Sequence, residues 1–148
     1  MFRGVAQLSM DGKGRLAIPT KYRDALLARG DGRLVITADP GKCLLLYPLP
    51  DWEPIYRRLM ALPSFDERTR SLQRLIGGYA DDVEMDAQGR ILVSPALRDF
   101  AALSRSVTLV GQGSKFELWD SARWNEQSER ALGFPVGGMP PGLEDFAL

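Results

Sequence analysis

Two short segments hold the residues of this chain best suited to chemistry, Asp11-Gly12-Lys13-Gly14-Arg15 and Asp86-Ala87-Gln88-Gly89-Arg90. Each puts an aspartate four residues before an arginine, with a glycine between them. Across a tight turn, residues four apart face one another, so the carboxylate can cap turn amides or pair with the guanidinium. Turn formation alone accounts for Asp11, Asp86, Gly14 and Gly89. The arginines offer more: a guanidinium held by a neighbouring carboxylate is pre-oriented, and its planar fork matches the O6 and N7 acceptors of guanine or a pair of phosphate oxygens. Lys13 adds a phosphate-seeking charge beside Arg15, whereas Gln88 stands beside Arg90. The first segment is therefore the stronger candidate contact and Arg90 the more structural partner.

Composition removes most competing chemistries. The 148 residues include no histidine and one cysteine, which excludes Ser-His-Asp and Cys-His catalysis, histidine-ligated zinc and imidazole switching. Cys43 lies in the apolar run Cys43-Leu44-Leu45-Leu46-Tyr47 and reads as a core residue. The acidic stretch Asp81, Asp82, Glu84 and Asp86 resembles the start of a calcium loop, yet the bidentate glutamate such a loop needs falls on Val93. Nothing assembles a substrate site. We expect no enzyme, and no metal, cofactor or small-molecule substrate.

The elements that must position the two segments repeat along the chain. At an offset of 75 residues, Leu8 to Asp24 falls on Val83 to Asp99 with six of 17 pairs identical: the Met, Asp, Gly and Arg at the turn and an Arg-Asp pair beyond it. At an offset of 72, Leu44, Leu46, Tyr47 and Trp52 fall on Phe116, Leu118, Trp119 and Trp124. In each copy a strand (Val5 to Met10; Val83 to Met85) enters the Gly-containing turn and a short apolar strand leaves it (Leu16 to Ile18; Ile91 to Val93), a hairpin signal. A helix follows, opened by Pro19-Thr20 or by Ser94-Pro95. Strands Leu34 to Thr37 with Lys42 to Tyr47, and Val107 to Val110 with Lys115 to Trp119, come next. The copies then diverge. Asp51 to Leu62 and Phe65 to Ile76 predict two helices, the second opened by a Ser64-x-x-Glu67 capping box, while Ser121 to Leu132 predicts one. Trp52, Ile55, Leu59 and Trp124 are expected to pack inward. Residues 133–148, rich in proline and glycine, predict a flexible tail unless Phe134 or Phe146 docks.

We divide the chain into a first repeat with a helical extension (1–77), a second repeat (78–132) and the tail (133–148). Half-domains of about 75 residues bury too little alone and are expected to pair about a pseudo-twofold axis. The fold class is mainly β with peripheral helices (α+β). The net charge of zero conceals a division: 13 Lys+Arg against 8 Asp+Glu in residues 1–77, and 6 against 11 in 78–148. One basic face can thus coexist with a near-neutral chain. No apolar run reaches the roughly 18 residues of a membrane span, and Met1 to Val5 does not begin a signal peptide, so a cytoplasmic location and no membrane partner are expected.

The doubled Asp-x-x-x-Arg turn, in a chain opening Met1-Phe2-Arg3-Gly4, resembles the bacterial MraZ family over about residues 1–132. The resemblance implies tandem swapped-hairpin, AbrB-like β-barrel repeats that assemble into closed homo-oligomeric rings. It also implies sequence-specific binding of double-stranded promoter DNA at the nucleoid and regulation, generally repression, of the division and cell-wall gene cluster that includes the family's own gene. Carried over by position, the DNA-binding residues are Asp11, Lys13, Arg15, Asp86 and Arg90. An oligomeric protein-interaction scaffold or antitoxin-like module on the same fold is the alternative, because function resides in the site and not in the fold. A division of charge between halves suits a head-to-tail ring, in which one chain's basic half meets the next chain's acidic half.

Overall fold

The computed structural model describes residues 1–134 and 140–147. The expectation of a flexible tail falls in part on residues 135–139 and 148, outside the described residues; Phe134 and Phe146 are both exposed. Among the described residues, eight strands and five α-helices follow in the order the repeat predicts. The first repeat supplies β1 (Val5–Ser9), β2 (Arg15–Ala17), α1 (Thr20–Ala28), β3 (Arg33–Ala38) and β4 (Leu44–Pro48), then α2 (Leu49–Met60) and α3 (Glu67–Leu72), which runs into a π-helical turn, Gln73–Gly77. The second supplies β5 (Asp81–Glu84), β6 (Arg90–Leu92), α4 (Pro95–Phe100), β7 (Ser106–Gly111), β8 (Phe116–Asp120) and α5 (Ser121–Leu132).

The strands pair antiparallel in a six-stranded sheet, β1-β7-β8-β4-β3-β5, and a two-stranded ribbon, β2-β6. The local hairpin reading therefore needs correction. β1 and β2 flank the first turn but do not form a ladder together, and neither do β5 and β6: β1 pairs with β7, β5 with β3, and β2 with β6, each across the repeats. Among the described residues, only β3-β4 and β7-β8 are hairpins within one copy. Exchanging the repeats reverses the sheet order onto itself, which is the expected pseudo-twofold. Leu16 faces Ile91, its own counterpart, at the centre of the ribbon, and Leu45 faces Glu117 at the centre of the sheet.

Period-two alternation decides which residues meet where. Leu34, Ile36, Leu44, Leu46, Val107, Leu109, Phe116 and Leu118 point from one face of the sheet into the main core, where Leu16, Ile18, Ile91 and Val93 of the ribbon and Leu26 and Leu97 of α1 and α4 meet them. The opposite face is covered twice. Val35, Leu45 and Tyr47 pack on Trp52, with Ile55 and Ile76 at the margin; Cys43, Val110 and Trp119 pack with Trp124. Burial, and to a lesser degree Glu117 and Asp39, push the Cys43 thiol far above its ordinary range. Trp52, Ile55 and Trp124 thus pack as expected.

Two local expectations shift. Ser94 Oγ accepts from Leu97 N–H at 3.4 Å with Pro95 in the first turn, the cap the sequence predicts, whereas Pro19 opens α1 with no side-chain cap. The Ser64 capping box does not form. Asp66 caps α3 instead, accepting from Arg68 N–H at 2.8 Å, because an aspartate one residue before the helix outcompetes a serine three residues away.

Candidate nucleic-acid interface

Gly14 and Gly89 adopt φ of +89° and +76°, the left-handed region that lets each chain turn back from Asp to Arg within five residues. In the first turn, Asp11 N–H donates to Arg15 O at 2.9 Å and Gly14 N–H to Asp11 O at 3.0 Å. The Asp11 carboxylate then divides its oxygens. Oδ1 accepts from the N–H groups of Lys13 and Arg15, both at 2.9 Å, and Oδ2 accepts from Arg15 Nε at 2.8 Å. Asp86 repeats the arrangement with Gln88 N–H, Arg90 N–H and Arg90 Nε at 2.9, 2.8 and 3.0 Å. Each carboxyl is held below its ordinary pKa, first by the Arg backbone N–H, then by the guanidinium and the second turn amide, against a desolvation that works the other way.

Because Nε alone is spent on the carboxylate, the Nη groups of Arg15 have no acceptor among the described residues. Arg90 is less free: its Nη2 donates to Gln88 Oε1 at 3.1 Å. Lys13, the counterpart of Gln88, can offer no such acceptor. Arg15 and Arg90 are each 40% exposed. All five residues singled out in the sequence, Asp11, Lys13, Arg15, Asp86 and Arg90, therefore lie on the two symmetry-related turns at the ends of the β2-β6 ribbon.

Sequence reasoning missed the arginines that buttress these turns. Val93 N–H donates to Gly14 O and Ile18 N–H to Gly89 O, both at 2.8 Å, so each turn is sewn to the other repeat. Arg98 Nε donates to Val93 O at 3.0 Å and lies against Gly14, where a Cβ would sit 2.7 Å from it; Arg23 Nε donates to Ile18 O at 2.8 Å and lies against Gly89, with a Cβ at 2.2 Å. Their signal was present as the identical Arg-Asp pair beyond the turn, but the contact crosses between repeats, where no spacing rule reaches. Among the described residues there is no cluster of three His, Cys, Asp or Glu side chains that could hold a metal, and no helix long and apolar enough to cross a membrane.

The family model described as "MraZ protein, putative antitoxin-like" matches twice, over residues 1–75 and 76–135, the same two copies that the offset of 75 residues brings into register. Proteins named transcriptional regulator MraZ are similar end to end: that of Thiobacillus denitrificans is 59% identical, that of Nitrosomonas europaea 57% and that of Aromatoleum aromaticum 51%, each over all of this chain and all of the relative. Identity of half or more along the whole length, in both repeats and the extension between them, means that the chain belongs to the MraZ family.

Proposed function

We propose that this transcriptional regulator acts by binding double-stranded promoter DNA through its two Asp-x-x-x-Arg turns, with Arg15 the principal reader of base edges and Asp11, Lys13, Asp86 and Arg90 completing the contact. The observation that carries the reading is the state of Arg15: its Nε is fixed by Asp11 and its Nη donors are unspent and partly exposed. A guanidinium so held reaches the O6 and N7 of a guanine with little further ordering to undergo. Arg90, which shares one Nη with Gln88, contributes less.

The division of charge between the halves supports a head-to-tail homo-oligomer, and a closed ring gives modest single sites a high effective concentration on tandem boxes. The regulator then represses the division and cell-wall cluster that includes its own gene by occupying the promoter, in the cytoplasm at the nucleoid. The test is binding of wild type and Arg15→Ala to the DNA upstream of its own gene, in a salt series with a scrambled duplex as competitor. Specific, steeply salt-dependent binding that Arg15→Ala abolishes is expected. Equal, weak binding to both duplexes, untouched by the substitution, would sink the reading and favour the protein-interaction scaffold suggested by the antitoxin-like description of the family.

A further inference from the structure

Beside the first turn, the second repeat completes a surface notch lined by Ser9, Asp11, Gly12, Arg98, Ser104 and Arg105. Its floor is tied across the repeats by Met10 N–H donating to Arg105 O at 2.8 Å. Its chemistry is that of an anion seat. Arg105 is exposed and makes no side-chain hydrogen bond or ion pair among the described residues, and Arg98 spends only Nε, on Val93 O. Among the described residues the Gly12 N–H at the tip of the turn has no acceptor either. The carboxylate that lines the notch, Asp11, is engaged by the turn and Arg15, and Asp120 behind Ser104 accepts from the N–H and hydroxyl of that serine at 3.0 and 2.6 Å.

The pseudo-twofold supplies an internal comparison. Met85 N–H donates to Gly32 O at 2.8 Å, so Gly32 occupies the place of Arg105, Asp31 that of Ser104, and Glu84, 75 residues on, that of Ser9. The second turn therefore carries two exposed carboxylates and a glycine where the first has two hydroxyls and a free arginine. Arg23 stands there as Arg98 does at the first turn, and Arg33 follows Gly32, but Arg33 lies opposite Glu84 in the ladder with Asp31 beside it, so the first turn is the better suited to an anion.

We propose that the notch at the first turn seats a backbone phosphate of DNA, held by Arg105 with Arg98 and the Gly12 N–H, and that the second turn has no equal seat. This deepens the reading of Arg15 as a base reader and rests on it: the phosphate fixes the register in which Arg15 meets its base, while carrying no sequence information itself. The two repeats of one subunit are then unequal on DNA, the first gripping base and backbone together and the second the base edge alone.

The experiment is a salt series with the full-length protein, on its own upstream DNA and on a scrambled duplex. Arg105→Ala should weaken both by the same factor, about tenfold at 0.1 M salt, and reduce the slope of log K against log salt by about one for each engaged subunit, leaving the ratio between the duplexes intact. Arg15→Ala should instead collapse that ratio. Ser9→Glu, which copies the second turn onto the first while leaving every arginine in place, should reproduce the Arg105→Ala loss in a protein of unchanged Tm. If wild type discriminates and Arg15→Ala does not, yet Arg105→Ala and Ser9→Glu leave affinity and slope alone, the notch proposal is overturned while the turn reading stands. Wild type that fails to discriminate overturns the turn reading first. Saturable binding of inorganic phosphate alone, lost in Arg105→Ala with DNA affinity unaffected, would assign the notch to a free anion and overturn the DNA phosphate.

Discussion

Asp11 builds the turn and aims the arginine with one carboxylate, and the two tasks can be separated by substitution. Asparagine keeps an oxygen that accepts from Lys13 and Arg15 N–H but loses the charge opposite Arg15 Nε. Asp11→Asn should fold with a Tm close to wild type, since the ion pair is exposed, and should bind DNA more weakly because the guanidinium is no longer fixed. Fluorescence anisotropy on the upstream DNA, beside a thermal melt, checks both halves; an affinity equal to wild type would show that Arg15 needs no aiming. The same carboxylate predicts a pH response. Its pKa is lower folded than unfolded, so the stabilisation it lends is complete above about pH 4 and fades as pH falls through the depressed value. The Lys13 and Arg15 amide resonances should therefore titrate with a midpoint below the ordinary carboxylate range, as should those of Gln88 and Arg90 around Asp86. A midpoint at the ordinary value would mean that the oxygens are not engaged as described.

At the scale of elements, the turns stand on glycines and the sheet on its second face. A Cβ at Gly14 would meet Val93 O at 2.6 Å and the Arg98 Nε bonded to it at 2.7 Å, on a backbone already at positive φ. Gly14→Ala should cost about 2 kcal/mol and disturb DNA binding, with urea unfolding as the measure. Trp52 is 4% exposed between Val35, Leu45 and Tyr47, and Trp52→Ala should cost about 3–5 kcal/mol. Gly12→Ala meets nothing within 4 Å and serves as the control, expected to melt like wild type. These same elements mark how far the sequence could be read. Strand alternation in β3, β4, β7 and β8, the Ser94-Pro95 helix start and the Asp-Gly-Arg turns are local signals, written in period-two burial, a cap and a backbone requirement, and all were legible. The partners of β1 and β5 were not, because an alternating strand states which face it buries but not beside which neighbour. The cap of α3 was misplaced for a related reason: Ser64 and Asp66 both satisfy the cap preference, and the path of the loop decides between them. The places of Arg98 and Arg105 were hidden because both lie beside a turn some 85 to 95 residues distant in sequence.

For the whole molecule, the exchange of strands implies that neither repeat is a folding unit by itself. A fragment of residues 1–77 keeps β1 to β4 and the helical extension but loses β7 beside β1, β6 beside β2 and β5 beside β3. Its own second copy can replace them all. Leu8 would take the place of Val83 opposite Leu34, Leu16 would face Leu16 where Ile91 stands, and Leu45 would face Leu45 in place of Glu117. Each of these three pairs puts apolar on apolar, so the first-repeat fragment should fold only as it dimerises, with sedimentation and circular dichroism moving together as concentration rises. The second repeat, residues 78–132, faces a harder case. Its dimer would put Glu117 directly opposite Glu117 at the centre of the sheet, a like-charge cross-strand pair that the intact chain avoids by setting Leu45 there. It should remain unfolded where the first fragment is already dimeric, and Glu117→Leu should bring the two into line. A folded monomer of either fragment would contradict the exchanged topology. The expected outcome would mean that the chain is a dimer of repeats fused into one polypeptide, with the fusion allowing its two turns, and the surfaces around them, to become different.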